Sequence, residues 1–292
     1  MRQDICALDT NCEIPHMKYE LSAEQIDQYQ RDGLLVIEGF LDAKELEIWR
    51  TYVDEAVASR CDRKMPNSDV KKSGNSYYDR VFTQRINLWM DHNGMRKLML
   101  DARIGKMAAK LSGATGIRIW HDQALIKEAW ANPTGWHLDN PNWSFYSHNA
   151  ISIWVALDDA TMSNGCLYFM PGTHREANFE TAFISERLDF LFEDSLYPQW
   201  KERQAQAVPM KAGDCSFHNG LLAHSAGANM TPNRRRAMTC AYMPEGAVYN
   251  GKKNVLPDSY ARSLRIGEVL QNSDFNPLIY SEGDDVGCCS VS

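Results

Sequence analysis

The chain opens with helix-spaced apolar residues and changes to alternating ones near residue 116. Residues 21–33 begin Leu21-Ser22-Ala23-Glu24-Gln25, where Ser22 and Gln25 make a capping box, and stop at Asp32-Gly33, which predicts a helix. Leu34-Leu35-Val36-Ile37 reads as a short strand. From Asp42 to Cys61 the positions Leu46, Trp49, Val53 and Ala56 give an amphipathic helix. Residues 62–80 are polar and without a period, and two further helical patterns run over about 84–112. From residue 116 the strand candidates are 116–129, 135–139, 150–158, 166–170, 206–210, 214–218, 221–225 and 235–243. Asn164-Gly165, Pro171-Gly172 and Gly213-Asp214 mark turns between them.

Strands joined by turns, with helices ahead of them, predict a mainly β fold with flanking helices, its core a double-stranded β-helix or cupin-like jelly roll. The helical part covers about 21–112 and the jelly-roll core about 116–245. The core carries an insertion at 178–205, predicted helical over 185–204 and able to cover one mouth of the barrel. Residues 246–292 read as a C-terminal tail. With no linker, repeat or composition shift, residues 1–292 are expected to form a single domain.

Composition narrows the function. A net charge of −7, with 44% hydrophobic and 24% charged residues, describes a soluble globular protein with no general nucleic-acid or membrane-surface role. The start MRQDICALDT lacks the apolar run of a signal peptide, and no stretch approaches transmembrane length. The eight cysteines have no C-x-x-C spacing and read as reduced thiols, several of them buried, in a cytoplasmic protein. Cys289-Ser290-Val291-Ser292 fits a loose prenylation pattern, with Cys288 beside it, but Asp284 and Asp285 precede it instead of a basic run. A polar tail is the preferred reading.

The candidate chemistry starts at Trp136-His137-Leu138-Asp139. Side chains two apart on a strand share a face, so His137 and Asp139 can meet one metal while Leu138 points away. With eight histidines, one such pair is expected by chance, and His174-Arg175-Glu176 is a second. Pro171-Gly172-Thr173 makes His174 a turn residue. A third ligand is available in His218 or His224. His224 is favoured because the turn-rich 226–233 follows it, and an antiparallel return would place residue 235 beside residue 224. On that last strand Arg235, Ala237, Thr239 and Ala241 share one face, a single cation among small side chains. A guanidinium there suits a dicarboxylate. Two imidazoles and one carboxylate on three corners of an octahedron are the ligand set of non-haem Fe(II) oxygenases.

The order of motifs resembles the phytanoyl-CoA dioxygenase family of Fe(II)/2-oxoglutarate oxygenases over nearly the whole chain. The resemblance runs from Leu21-Ser22 through Arg31-Asp32-Gly33-Leu34 to Leu41, and continues in His121 to Lys127. It includes Trp136-His137-Leu138-Asp139, Ile153-Trp154 to Asp159, and Asn164-Gly165-Cys166-Leu167 through Pro171-Gly172-Thr173-His174. Gly213-Asp214 to His224 completes it. The resemblance implies that His137, Asp139 and His224 bind Fe(II). It also implies that Arg235, eleven positions after His224, holds the distal carboxylate of 2-oxoglutarate, with Lys127 and Trp154 touching that cosubstrate. Dioxygen would be reduced, with release of succinate and CO2 and oxidation of a C–H bond. Related halogenases lack the carboxylate, so Asp139 points to hydroxylation rather than chlorination. Leu138 stands where the family usually has glutamine, and Ala226 where some members have serine.

Asn140, Trp143 and Tyr146, with Asn142 and Phe145, are candidates for substrate contact, because they follow the metal motif directly. The basic stretch 62–80, with Arg63, Lys64, Lys71, Lys72 and Arg80, is a candidate flap for an anionic substrate, coenzyme A phosphates among them. The expected partner is a small-molecule substrate, acted on by a monomer or homodimer. Two other functions fit the same ligands. One is a jelly-roll metal-binding protein without oxygenase activity. The other is a metal-dependent hydrolase or isomerase, for which His121 or His218 would serve as base.

Overall fold

The computed structural model describes residues 20–66, 77–181, 184–193 and 196–283. Helix α1 (Ala23–Asp32) is capped by Ser22, whose hydroxyl accepts from the Gln25 N–H at 3.2 Å while the Gln25 carbonyl oxygen accepts from the Ser22 N–H at 2.9 Å. It ends at Gly33, in the left-handed region at φ 74°, where an added Cβ would also sit 2.5 Å from the His174 ring. Strand β1 (Leu34–Ile37) follows, then helix α2 (Ala43–Arg60), capped by Asp42. The helical pattern expected from residue 84 begins later. Residues Thr83–Ile86 form strand β2, and only then come α3 (Asn93–Met99) and α4 (Ala102–Ser112). The reason is tertiary. The buried carboxylate of Asp122 accepts from the backbone N–H groups of Leu88 and Trp89 at 2.6 and 2.8 Å, turning the chain after a strand that its partner stabilises.

The eight expected core strands all form, most of them shorter than expected and four of them running one residue past an expected end. They are β3 (Gly116–Lys127), β4 (Thr134–His137), β5 (Ile151–Ala156), β6 (Leu167–Phe169), β7 (Gln206–Val208), β8 (Cys215–Asn219), β9 (His224–Ala226) and β10 (Arg235–Pro244). One sheet has the order β1-β8-β5-β10-β3, continued by β11 (Leu278–Ser281), with β2 also on β3; the other has the order β4-β9-β6-β7. All pairings are antiparallel, and the two sheets make the jelly roll. The larger sheet divides its residues by parity. Ile151, Ile153, Val155, Met238, Cys240 and Tyr242 face outward into the core shared with the helices. Trp154, Thr239 and Arg235 face the barrel interior.

Two segments depart from expectation. Among its described residues the insertion 178–205 holds no α-helix, only 3-10 turns at Phe190–Phe192 and Pro198–Trp200. Pro198 removes a backbone donor there. Leu191, Tyr197 and Trp200 are buried instead against Leu138, Met170 and Leu221, with the Tyr197 and Trp200 rings stacked at 3.9 Å. The expected tail is folded as far as residue 283: β11 pairs with β3, and Tyr249, Val255, Leu256 and Leu270 join a core with Trp120 and Trp143. Cys288 and Cys289 lie outside the described residues, as do Lys71 and Lys72 of the basic stretch. Cys166, Cys215 and Cys240 are buried thiols, and Cys61 is an exposed one. No helix among the described residues is long and apolar enough to cross a membrane.

Neighbouring arginines on β10 meet opposite fates. Arg235 turns inward, whereas Arg236 turns outward and binds Asp158 at 2.7 Å and Asp54 at 2.7 Å, tying α2 to the sheet. Arg236→Ala is therefore expected to lower stability by about 1–2 kcal/mol, as read by the urea midpoint, because the pairs are only half-buried. Ligand binding inside the barrel should not change.

Candidate active site

The smaller sheet sets the site by register. Strand β4 pairs with β9 so that His137 stands opposite His224, and their ring centroids lie 4.1 Å apart. The chain then bends. The N–H groups of Asp139 and Asn140 both donate to the Gly220 carbonyl, at 3.1 and 2.8 Å, which brings Asp139 back beneath the two rings. A side chain at Gly220 would crowd Asn140 and Ala150, with contacts of 3.0 and 3.2 Å.

Each histidine is held by the carbonyl two residues before it. His137 Nδ1 donates to Gly135 at 2.9 Å and His224 Nδ1 to Leu222 at 2.9 Å. These bonds fix the proton on Nδ1 and turn each bare Nε2 inward. His137 Nε2 lies 3.7 Å and His224 Nε2 3.9 Å from Asp139 Oδ1. These distances exceed hydrogen-bonding range. The donor atoms of His137, Asp139 and His224 all lie within 4.8 Å of one another, a spacing suited to a shared cation. A third imidazole, His218, approaches the other oxygen, Nε2 to Oδ2 at 3.7 Å.

Electrostatics suit a metal. Burial, and then the neighbouring His224, pushes His137 down to about 4. Burial likewise lowers His224, and it takes His121 down to about 4. Burial disfavours the charge on Asp139, but His224, His218 and His137 outweigh it and hold the carboxyl below its ordinary range. The set at neutral pH is thus two neutral imidazoles and one carboxylate.

Arg235 lies in the same cavity, its side chain fully buried. Nη2 donates to the Gly165 carbonyl at 3.0 Å and the guanidinium lies 5.3 Å from the Trp154 ring centroid. Nε and Nη1 have no protein partner. Burial lowers this arginine to about 10, so it stays cationic. Arg235 does not adjoin His224 on a neighbouring strand: β10 runs in the larger sheet with Arg235 opposite Lys127. The connection 227–234 crosses between sheets, pinned by the Asn229 side chain, which donates to the carbonyls of Glu128 and Asn233 at 2.8 and 2.7 Å.

The remaining sequence candidates divide. Trp154 and Trp143 line the cavity. Lys127 does not: it is fully buried, donates to the Asn132 carbonyl at 2.5 Å and lies over the Phe82 ring. Burial, and then Arg235, pushes it down to about 7. Asn140 is used up within its loop, donating to the Phe145 carbonyl at 3.1 Å and accepting from the Ser147 N–H at 2.9 Å. Tyr146 is exposed and stacks on Phe179. His174 forms the expected turn, in a 3-10 segment at Thr173–Arg175.

Lys64, His121, Asn142 and Trp143, all named from the sequence, line the outer part of the cavity. Sequence reasoning did not single out its other side chains, which include Gln84 on β2, Gln123 on β3, Ile184 of the insertion, and Asn254 and Val255 of the C-terminal segment. Gln123 had a readable signal, a polar residue on the strand face of His121 and Lys127. The C-terminal wall had none. It is strapped to the loop after the metal motif by hydrogen bonds from the Asn250 N–H to the Ser144 carbonyl (2.8 Å), Lys252 Nζ to the Pro141 carbonyl (2.6 Å) and the Asn254 amide to the Asn142 carbonyl (3.0 Å).

A jelly roll with two imidazoles and a carboxylate converging beside a buried guanidinium defines the class of mononuclear non-haem oxygenases. A family model described as phytanoyl-CoA dioxygenase matches residues 29–237. The dioxygenase lolE1 of Epichloe uncinata is 31% identical over 241 residues, covering 76% of this chain and 82% of its own. The methylphosphonate hydroxylase of Gimesia maris is 27% identical over 228 residues, 77% of this chain and 82% of its own. Among solved structures, the α-ketoglutarate-dependent carbocyclase SnoK from nogalamycin biosynthesis superposes with a TM-score of 0.73 at 25% identity, covering 90% of this chain and 98% of its own. The chain belongs to the phytanoyl-CoA dioxygenase family. It is an iron- and 2-oxoglutarate-dependent oxygenase of small organic molecules, with O2 as the oxidant.

Two outcomes follow from the geometry. His121 has its pKa depressed in the fold, so its contribution to stability is complete above about pH 6.5 and is lost as the pH falls towards 4. The metal-free protein should lose on the order of 3 kcal/mol through this residue. Urea midpoints measured across that range should fall less steeply in His121→Gln. Leu138 is fully buried among Met170, Leu191 and Trp200, facing away from the metal donors. Leu138→Gln, which restores the family's usual residue, should therefore destabilise by about 2–3 kcal/mol in thermal or urea unfolding.

Proposed function

We propose that His137, Asp139 and His224 hold Fe(II), that Arg235 binds the distal carboxylate of 2-oxoglutarate, and that the chain hydroxylates a C–H bond with release of succinate and CO2. The observation that carries this reading is Arg235. A buried guanidinium whose Nε and Nη1 are unsatisfied is costly unless a ligand completes it, and a carboxylate can take one of them together with the second N–H of Nη2. The three metal donors lie in the same cavity.

Bound iron with 2-oxoglutarate would supply the activation of dioxygen. The protein's part is to bind, orient and exclude water. The Nδ1 bonds to Gly135 and Leu222 keep both imidazoles neutral and aimed. Asp139 supplies the single negative charge. Trp154 supports the guanidinium of Arg235 from below. Lys127 stands behind Arg235 and secures the neighbouring loop through Asn132, so its influence on the cosubstrate is through charge rather than contact. The chain works as a single oxygenase domain in the cytoplasm, as a monomer or homodimer.

Under anaerobic conditions the protein with Fe(II) and 2-oxoglutarate should show the weak visible metal-to-ligand charge-transfer band. Arg235→Ala should weaken 2-oxoglutarate binding about 10- to 100-fold, the loss of one charge-assisted bidentate contact. Arg235→Lys should not restore it, and Asp139→Ala should weaken Fe(II) binding. An unchanged band titration in Arg235→Ala would sink the assignment.

A further inference from the structure

The cavity continues outward from the metal donors. An inner volume reaches Arg235 and Trp154, and an outer one opens between Asn142 and Val255. The two share His121, Gln84, Gln123, Trp143 and Ile184 with the metal donors His137 and Asp139. This shared wall is where a substrate must lie to reach the metal.

We infer that the part of the substrate held inside the protein is an uncharged hydrocarbon skeleton bearing hydroxyl or carbonyl oxygens, recognised by the Gln84–Gln123 amide pair and His121 against Trp143. The inference rests on the function proposed above and adds the substrate class.

Charge is the first argument. Among the described residues lining both volumes, the ionised groups are Asp139, Arg235 and Lys64. Asp139 and Arg235 are committed to the metal and the cosubstrate. Lys64 stands at the outer volume alone and already has an interaction partner. Among the described residues, an ionic group buried in this cavity would meet no uncommitted countercharge to offset a desolvation cost on the order of several kcal/mol.

Unsatisfied polarity is the second. The Gln84 amide donates to the Gln123 carbonyl, leaving the Gln84 carbonyl oxygen buried without a partner. Either orientation of the pair leaves one carbonyl and one amide N–H group for a ligand. The buried hydroxyl of Thr134, on the inner volume, is unpartnered as well. A hydroxyl group can donate to the free carbonyl, and a carbonyl can accept from the free amide. His121 adds a further buried nitrogen, Nδ1, without a partner, and apolar side chains stand beside these polar groups. Trp143 presents a buried indole edge-on to His121, with Ile184 and Val255 nearby.

Val255 lies beyond the matched residues 29–237, held in place by the strap at 250–254. There it packs in one apolar cluster with Trp143.

The test uses the full chain with Fe(II) and 2-oxoglutarate under anaerobic conditions, titrated with matched probes. These are 5-hydroxy-1-tetralone, the same ring system bearing a carboxylate, 2-aminotetralin, and acetyl-CoA. The neutral hydroxyketone should shift the charge-transfer band at millimolar concentration, and the charged probes should bind at least about tenfold more weakly. Gln84→Leu should weaken the neutral probe about tenfold, the worth of one hydrogen bond, while leaving 2-oxoglutarate binding unchanged. Val255→Arg, also checked for an intact band, should turn the preference towards the carboxylate. Equal or tighter binding of a charged probe overturns the inference. So does a neutral probe that leaves an intact band unmoved, or Gln84→Leu without effect on its binding. Absence of the band itself in the wild-type protein would defeat the cofactor reading instead.

Discussion

The pairing of β4 with β9 is the interaction on which the rest depends. It sets His137 opposite His224 and leaves both Nε2 atoms on the inner face of a small sheet. A shift of one residue would turn either imidazole to the opposite side, where Leu138 lies in an apolar cluster with Leu191 and Trp200. The register is pinned from both sides. Outside, the insertion accepts the Trp136 N–H on the Leu188 carbonyl at 3.1 Å, and inside, the Gly220 carbonyl gathers the two N–H groups that return Asp139 to the rings. The metal donors are thus a product of strand pairing and of one tight turn.

The larger sheet meets a different constraint, the burial of cations. Arg235 and Lys127 stand opposite each other on β10 and β3, both fully buried. The chain treats them unequally. Lys127 finds the Asn132 carbonyl and the Phe82 ring, and burial beside Arg235 brings its pKa down to about 7, so it can lose its charge. Arg235 cannot lose its charge and keeps two nitrogens without a protein partner. The Asp139 carboxylate and the Arg235 guanidinium therefore line one cavity.

Much of this was legible in local pattern. The alternation on 235–241 separated Arg235 from Arg236, and the structure places one in the cavity and the other on Asp54 and Asp158. The capping box at Ser22 and the turn at His174 were equally plain. What failed had a non-local cause. The strand at Thr83–Ile86 was hidden because it exists through β3, and its exit depends on the Asp122 carboxylate thirty-odd residues later. The insertion was expected to be helical, yet its aromatics are better buried against Leu138 than arranged on a helix face. Asn140 and Tyr146 follow the metal motif directly, but the bend after Asp139 turns one into its own loop and the other to solvent.

The sequence by itself determined which side chains share a face, where turns interrupt the strands, and hence the jelly roll and the residue types available for metal and carboxylate binding. Those properties follow from the two-residue period of a strand and the steric preferences of a few turn residues, both local. The tertiary structure alone decided which distant faces meet: His218 against Asp139, Arg235 in the sheet opposite His224, and Gln84 and Val255 on the wall facing the metal donors. Those positions depend on pairing and packing between segments far apart in the chain, which no local period encodes.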